Sequence, residues 1–187
     1  MSGLIKDLRS IPSPVFYIFA AVAVFCAFYV LGLTVAGVFA CLFLLALVAC
    51  ASADINAGIV PGLVLIFVAL LGVVRFILVE GFTVPRLTDH LIGAVCVSLP
   101  MLIVALIVKG AFGGGDIKLM AAAGLYLGWR LTVAGAVMGM FVSGLYGIYL
   151  LLWRKADAKT KIRLVPFLAF GLSAAALFGD RLITLLY

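Results

Sequence analysis

Long apolar runs separated by short polar connections dominate this chain and restrict what it can fold into. Of its 187 residues, 67% are hydrophobic and only 11% are charged. A soluble domain of this size has too little interior to bury so much apolar surface. We therefore expect a membrane protein. Because backbone groups in lipid must be hydrogen-bonded internally, the spans should be helices. The predicted fold class is all-α, a polytopic membrane helical bundle.

Seven apolar runs are candidate membrane helices, and most approach the roughly 20 residues that a bilayer crossing needs. The predicted runs are 15–33, 35–53, 59–79, 91–108, 117–127, 131–153 and 164–185. The fifth is short, because the stretch from Asp116 to Arg130 covers only about 21 Å at ~1.5 Å per residue. Two polar connections are sizeable, the predicted outer loop 80–90 and the inner loop 154–163. We predict one integral membrane domain over residues 1–187.

The distribution of basic residues predicts the orientation of the helices. With the N-terminus in the cytoplasm, seven crossings place most of the 13 basic residues on that side: Lys6, Arg9, Lys109, Lys118 and the cluster Arg154, Lys155, Lys159, Lys161 and Arg163. This agrees with the positive-inside bias of membrane proteins, so we predict a cytoplasmic N-terminus. If residues 117–153 formed one span, the cluster would lie outside. The charge pattern therefore predicts a break near Gly128, Trp129 and Arg130.

Two aspartates, Asp54 and Asp116, stand at the edges of apolar runs. The same crossing count places Asp54 at the inner end of the second helix and Asp116 at the inner start of the fifth. Ionisable groups at membrane depth cost several kcal/mol and are kept mainly for function. If the two acids meet, one carboxylate can take a proton from water while the other, protonated, polarises a scissile carbonyl. The pair therefore points to an aspartyl protease in a bilayer.

Like charges at close range do not both ionise, so the two carboxyl groups should titrate as a unit. A helix C-terminus disfavours a negative charge and a helix N-terminus favours it. We therefore expect Asp54 to hold the proton and Asp116 to act as the base. This chemistry requires no metal, the chain has no evident ligand set for one, and we predict no cofactor.

Several neighbours of the acids have both a functional and a plain interpretation. Gly113, Gly114 and Gly115 precede Asp116, and they either free the loop for substrate approach and positive φ or form an ordinary turn. Lys118 either lowers the local cost of a carboxylate or anchors the helix at the interface. Pro61 either orients substrate or belongs to the turn into the third helix, and we favour the turn.

The segment Gly113-Gly114-Gly115-Asp116, followed by Lys118, resembles the Gly-x-Gly-Asp-x-Lys motif of type IV prepilin peptidases. Asp54 and Pro61 fit the upstream aspartate and proline of that family. Pro166 and Phe167 resemble its late Pro-Phe helix start. The likeness covers about residues 35–185. It implies a membrane aspartyl protease with Asp54 and Asp116 as the catalytic pair, which removes the leader from prepilins at the cytoplasmic membrane face.

The resemblance also implies partners and a location. The expected substrates are prepilins or pseudopilins, and the expected location is the cytoplasmic (inner) membrane of a prokaryote, as a multi-pass protein in contact with lipid. The net charge of +6 is scattered between apolar runs, so we expect no nucleic-acid binding. The chain lacks the cysteine-rich insert of the larger members, and we expect cleavage without N-methylation. The helix at about 15–33 is additional, because many short members carry the first aspartate in their first helix.

Other classes of protein remain open. The presenilin and signal-peptide-peptidase group shares Gly-x-Gly-Asp, but it expects a tyrosine before the first aspartate, where this chain has Ala53. A small proton-coupled transporter would use both acids as a proton relay. Such transporters often contain an inverted repeat, and none is visible here. A non-catalytic membrane assembly subunit is the third possibility.

Overall fold

A computed structural model describes residues 14–108, 110–153 and 163–186 of the chain. Over these residues the structure contains seven helices and no strand, which confirms the all-α class. The helices are α1 (Pro14–Leu31), α2 (Val35–Ala57), α3 (Gly62–Glu80), α4 (Val84–Ile107), α5 (Gly114–Leu127), α6 (Trp129–Trp153) and α7 (Val165–Leu186). By length and composition, α2, α3, α4 and α6 are long and apolar enough to cross a membrane.

The break predicted between the fifth and sixth runs is confirmed. Helix α5 ends at Leu127 and α6 begins at Trp129, with Gly128 between them at φ 76°. Only glycine adopts this left-handed φ without strain, which explains why the chain turns here. The basic residues behind the prediction of orientation lie largely outside the described residues: Lys6, Arg9, Lys109, Arg154, Lys155, Lys159 and Lys161. The cytoplasmic N-terminus therefore stays a prediction.

The predicted outer loop 80–90 is wrong, because most of it is helix. Helix α4 begins at Val84, seven residues before the predicted start, with Thr83 as the extended N-cap residue and Pro85 in the first turn. Proline in the first turn loses no hydrogen bond and has a helical φ. His90 lies well inside α4 and is only 6% exposed. Because the first turns of this helix contain polar residues, the hydropathy pattern did not predict them as helix.

Helix α4 is interrupted at Val97, between segments Val84–Cys96 and Ser98–Ile107. Pro100 explains the interruption, because proline lacks the N–H that would bond to the carbonyl of Cys96 and its ring collides with that carbonyl. The Ser98 hydroxyl donates to the Ala94 carbonyl within the same turn.

The short helix α5 lies at the centre of the bundle, packed against α3, α4 and α6. Leu119, Met120 and Ala123 on α5 are fully buried. At the crossing with α4 the backbones of Gly93 and Gly124 touch, and a Cβ at Gly93 would lie 2.5 Å from the Gly124 carbonyl oxygen. Close approach through small residues is a common way for membrane helices to pack. It brings Asp116, in the first turn of α5, into the interior of the protein.

Candidate active site

Asp54 lies in the last turn of α2 and is only 8% exposed. The helix ends at Gly58, which has a left-handed φ of 66° and donates its N–H to the Asp54 carbonyl at 2.8 Å. This glycine C-cap turns the chain sharply into the loop that leads to α3. The Asp54 carboxyl therefore lies where α2 ends and the α2–α3 loop begins.

Asp116 is the third residue of α5 and is only 9% exposed. Its Oδ2 accepts a hydrogen bond from the N–H of Gly113, the N-cap residue, at 3.0 Å. An acid at this position of a helix satisfies a free backbone donor and faces the positive end of the helix dipole. The start of α5 therefore fixes one oxygen of the Asp116 carboxyl.

Both acids line one cavity of about 330 Å³. Asp54 and the α2–α3 loop form one wall, and residues 113–116 with Lys118 form the other. The two carboxyl groups are close enough to interact electrostatically. The structure thus brings together the aspartates that the sequence separates by 62 positions. A second cavity, an apolar groove of about 440 Å³ between α2 and α3, contains no ionisable side chain in its lining.

The three glycines before Asp116 matter for the space that a missing side chain leaves, and not for an unusual backbone conformation. None of them has a positive φ, which in this part of the chain occurs at Gly110. A Cβ on Gly115 would lie 2.5 Å from the Val60 side chain in the opposite wall, whereas a Cβ on Gly114 would meet nothing within 4 Å. Gly115 is therefore required for the close approach of α5 to the α2–α3 loop.

The two supporting residues predicted beside the acids differ in their placement. Lys118 is exposed and lines the cavity. Pro61 is fully buried and is the N-cap residue of α3, with its carbonyl accepting the N–H of Val64 at 3.1 Å. Its neighbours Val60 and Gly62 line the cavity. Pro61 therefore shapes the wall, in agreement with the favoured turn role.

Arg163 is a residue of this region that the sequence reasoning missed. It was grouped with the basic loop, but its guanidinium donates to the backbone carbonyl of Asp54. The backbone N–H of Val165, at the start of α7, also faces the Asp54 carboxyl. The expectation that Asp54 holds the shared proton rests on the dipoles of α2 and α5 alone. The structure adds these two positive groups on the Asp54 side, and the assignment of the proton stays a prediction.

The residues of the cavity suit acid–base chemistry. The Asp54 Oδ2 is buried and has no hydrogen-bond partner within the protein. Such an atom is costly unless a water or a substrate group binds it, so it marks a place where one of these is expected. Within the described part of the chain, no cluster of three or more His, Cys, Asp or Glu side chains is arranged to hold a metal ion.

Comparison with known proteins identifies the family of the chain. Residues 41–152, which contain both aspartates and most of the cavity, match the Type IV leader peptidase family. The chain belongs to this family. The family predicted from the glycine-aspartate motif is thereby confirmed, and with it the membership of the chain in a group of peptidases. Together with the four long apolar helices, this makes the chain a multi-pass membrane protein.

Three relatives illustrate the similarity, each named a prepilin leader peptidase/N-methyltransferase. The Bacillus subtilis protein is 30% identical over 146 residues, which cover 78% of this chain and 57% of the relative. The Aeromonas hydrophila protein is 34% identical over 116 residues, covering 59% and 39%. The Pseudomonas aeruginosa protein is 32% identical over 74 residues, covering 40% and 26%. The matches thus cover 57% or less of each relative's own length. No solved structure matches it significantly.

Proposed function

We propose that this chain is an aspartyl endopeptidase that cleaves the leader peptide from type IV prepilin-like precursors. The single observation that carries the proposal is the shared cavity, in which Asp54 and Asp116 approach each other from different helices. Membership in the leader peptidase family supplies the class of substrate. We further propose that the chain acts as one membrane domain over residues 1–187, in the cytoplasmic membrane of a prokaryote.

The reaction follows from the two carboxyl groups. A water held between Asp54 and Asp116 loses a proton to the ionised carboxylate as its oxygen attacks the scissile carbonyl carbon. The protonated partner donates a hydrogen bond to the carbonyl oxygen, where negative charge develops. Collapse of the tetrahedral intermediate then breaks the C–N bond, and a carboxyl proton passes to the leaving amine. The resulting pair again shares one proton and is ready for a second water.

The walls of the cavity suit an extended peptide. Gly113 and Gly114 are exposed and leave their part of one wall without side chains, so a substrate backbone can approach the carboxyl groups closely. Lys118 also lines the cavity, and a cation there would lower the cost of holding a carboxylate in a site depleted of water. The cavity lies where α2 ends and where α3 and α5 begin. We propose that this end of the bundle faces the cytoplasm, where a prepilin leader would enter.

A cleavage assay tests the proposal. Purified protein in detergent is mixed with a prepilin substrate of the Bacillus subtilis relative, and that relative serves as the positive control. We expect the wild-type chain to release the leader. We expect Asp54→Asn and Asp116→Asn each to lower the rate by at least roughly 10²–10⁴-fold, the usual contribution of a positioned acid or base.

Asp89→Asn is the matched control, because it makes the same substitution on α4 away from the cavity. It should cut at nearly the wild-type rate. Full cleavage by either Asp54→Asn or Asp116→Asn would contradict the two-carboxylate mechanism. Failure of the wild-type chain to cut a precursor that the control enzyme cuts would contradict the peptidase proposal. Aspartate-dependent proton uptake into vesicles without cleavage would favour the transporter instead.

A further inference from the structure

Arg163 connects two parts of the chain that lie 109 residues apart. It stands two residues before α7, and its guanidinium donates to the backbone carbonyl of Asp54 at the end of α2. The same carbonyl accepts the N–H of Gly58. A cation at the carbonyl end of a helix is a favourable arrangement, because these carbonyls carry the negative end of the helix dipole. The contact therefore fastens the start of α7 to the end of α2.

This attachment determines what surrounds the Asp54 carboxyl group. The first helical residue of α7 is Val165, and its N–H faces the carboxyl. The first N–H groups of a helix have no partner within the helix and carry partial positive charge. The negative end of α2 and the positive end of α7 thus meet at Asp54, with the full positive charge of Arg163 beside them.

Arg163 acts on Asp54 without occupying its carboxylate. Among the residues that the structure describes, no side-chain ion pair joins Arg163 and Asp54, and the guanidinium contact is to the backbone. The Asp54 Oδ2 accordingly has no hydrogen-bond partner within the protein. The carboxyl group thus lies beside two positive groups, while one of its oxygens forms no hydrogen bond within the protein.

We propose that Arg163 is a positioning residue for the aspartate pair, which fixes the start of α7 against Asp54 and so sets the geometry and charge around that carboxyl. The role rests on the proposed function, since it concerns the same cavity. This role distinguishes Arg163 from the interpretation of the basic cluster as a charged loop. Its charge is engaged at the end of α2.

Kinetics of three variants test this role. We expect Arg163→Gln to lower kcat roughly 10-fold, equivalent to about 1.4 kcal/mol, with KM within about twofold of wild type. Arg163→Lys should recover most of the rate, because an ammonium group keeps the charge and can donate to the same carbonyl. Arg130→Gln is the matched control. Its guanidinium lies over the Trp129 ring near the other end of α5. It should leave both constants unchanged.

A second measurement separates this proposal from the peptidase proposal. Hydrogen–deuterium exchange should become faster in Arg163→Gln at residues 54–58 and at the first turn of α7, but not in Arg163→Lys or Arg130→Gln. Unchanged exchange would overturn the positioning role whether or not the protein cleaves a prepilin. A raised KM with unchanged kcat would also overturn it, because that result indicates direct substrate binding. Faster exchange in Arg163→Gln, together with no cleavage by the wild-type chain, would support the contact and contradict the peptidase proposal.

Discussion

Gly115 shows how one missing side chain shapes the cavity. Its position leaves only enough room for Val60 across the gap, and a Cβ there would lie 2.5 Å from the valine side chain. We expect Gly115→Ala to push α5 away from the α2–α3 loop and to destabilise the protein by about 1–3 kcal/mol, the usual cost of overpacking. Cleavage should fall with it, because a displacement of about 1 Å at a catalytic group can cost roughly 10²-fold.

Two further variants make the test of Gly115 specific. Gly114→Ala adds the same methyl group one position earlier, where nothing lies within 4 Å, and should have little effect on cleavage. Val60→Ala in the Gly115→Ala background removes the colliding group and should restore much of the activity. Thermal melting and cleavage rates measure both effects. Equal losses in Gly114→Ala and Gly115→Ala would show that the contact with Val60 is not what requires glycine.

At the scale of single elements, a polar network secures the end of α5 opposite the cavity. Arg75 pairs with Glu80 at 2.8 Å and donates to the Tyr126 carbonyl at 2.9 Å. A His90 ring nitrogen lies 2.9 Å from the same Glu80 carboxylate, and the other lies 2.8 Å from the Leu125 carbonyl. The last carbonyls of a helix lack partners within it, so this network satisfies them from α3 and α4. Glu80 is its shared acceptor.

Removal of that acceptor should loosen the bundle without touching the chemistry. We expect Glu80→Ala to cost about 1–3 kcal/mol, because Arg75 and His90 lose a hydrogen-bond partner in a half-buried site. Glu80→Gln retains an oxygen acceptor and should cost less. Thermal melting in detergent checks the order, and cleavage well below the melting temperature should stay near wild type. A large loss of cleavage in fully folded Glu80→Ala would show that this end of α5 controls the cavity.

The same elements show what the sequence could and could not predict. Apolar length located α2, α3 and α6 to within a few residues, because these helices are apolar all round and face lipid or core. It failed for the first turns of α4, where Arg86, Thr88, Asp89 and His90 lower the hydropathy. Thr83 and Pro85 carried a capping signal there that hydropathy does not measure. Arg163 was missed for a different reason, since its contact with Asp54 depends on how α7 docks.

At the scale of the whole molecule, the number of membrane crossings predicts which membrane face each aspartate reaches. Counting crossings placed Asp54 and Asp116 on one membrane face, and the structure places both at one cavity. The break at Gly128 follows Asp116 and does not change that count, but the position of the basic cluster 154–163 required it. Charge supplied that constraint, because the basic residues had to lie on one side. The absolute orientation of the bundle stays a prediction.

Labelling of introduced cysteines tests that orientation. Ile59 lies in the α2–α3 loop at the cavity end, and Phe82 lies between α3 and α4 at the other end; both are exposed. Helix α3 separates them by about 28 Å at ~1.5 Å per residue, so they should lie near opposite membrane faces. In intact cells an impermeant maleimide should label Phe82→Cys, and it should label Ile59→Cys only after permeabilisation. The wild-type chain, whose four cysteines all lie in apolar helices, measures the background. The reverse pattern would place the two aspartates on the outer face and would exclude cleavage from the cytoplasm.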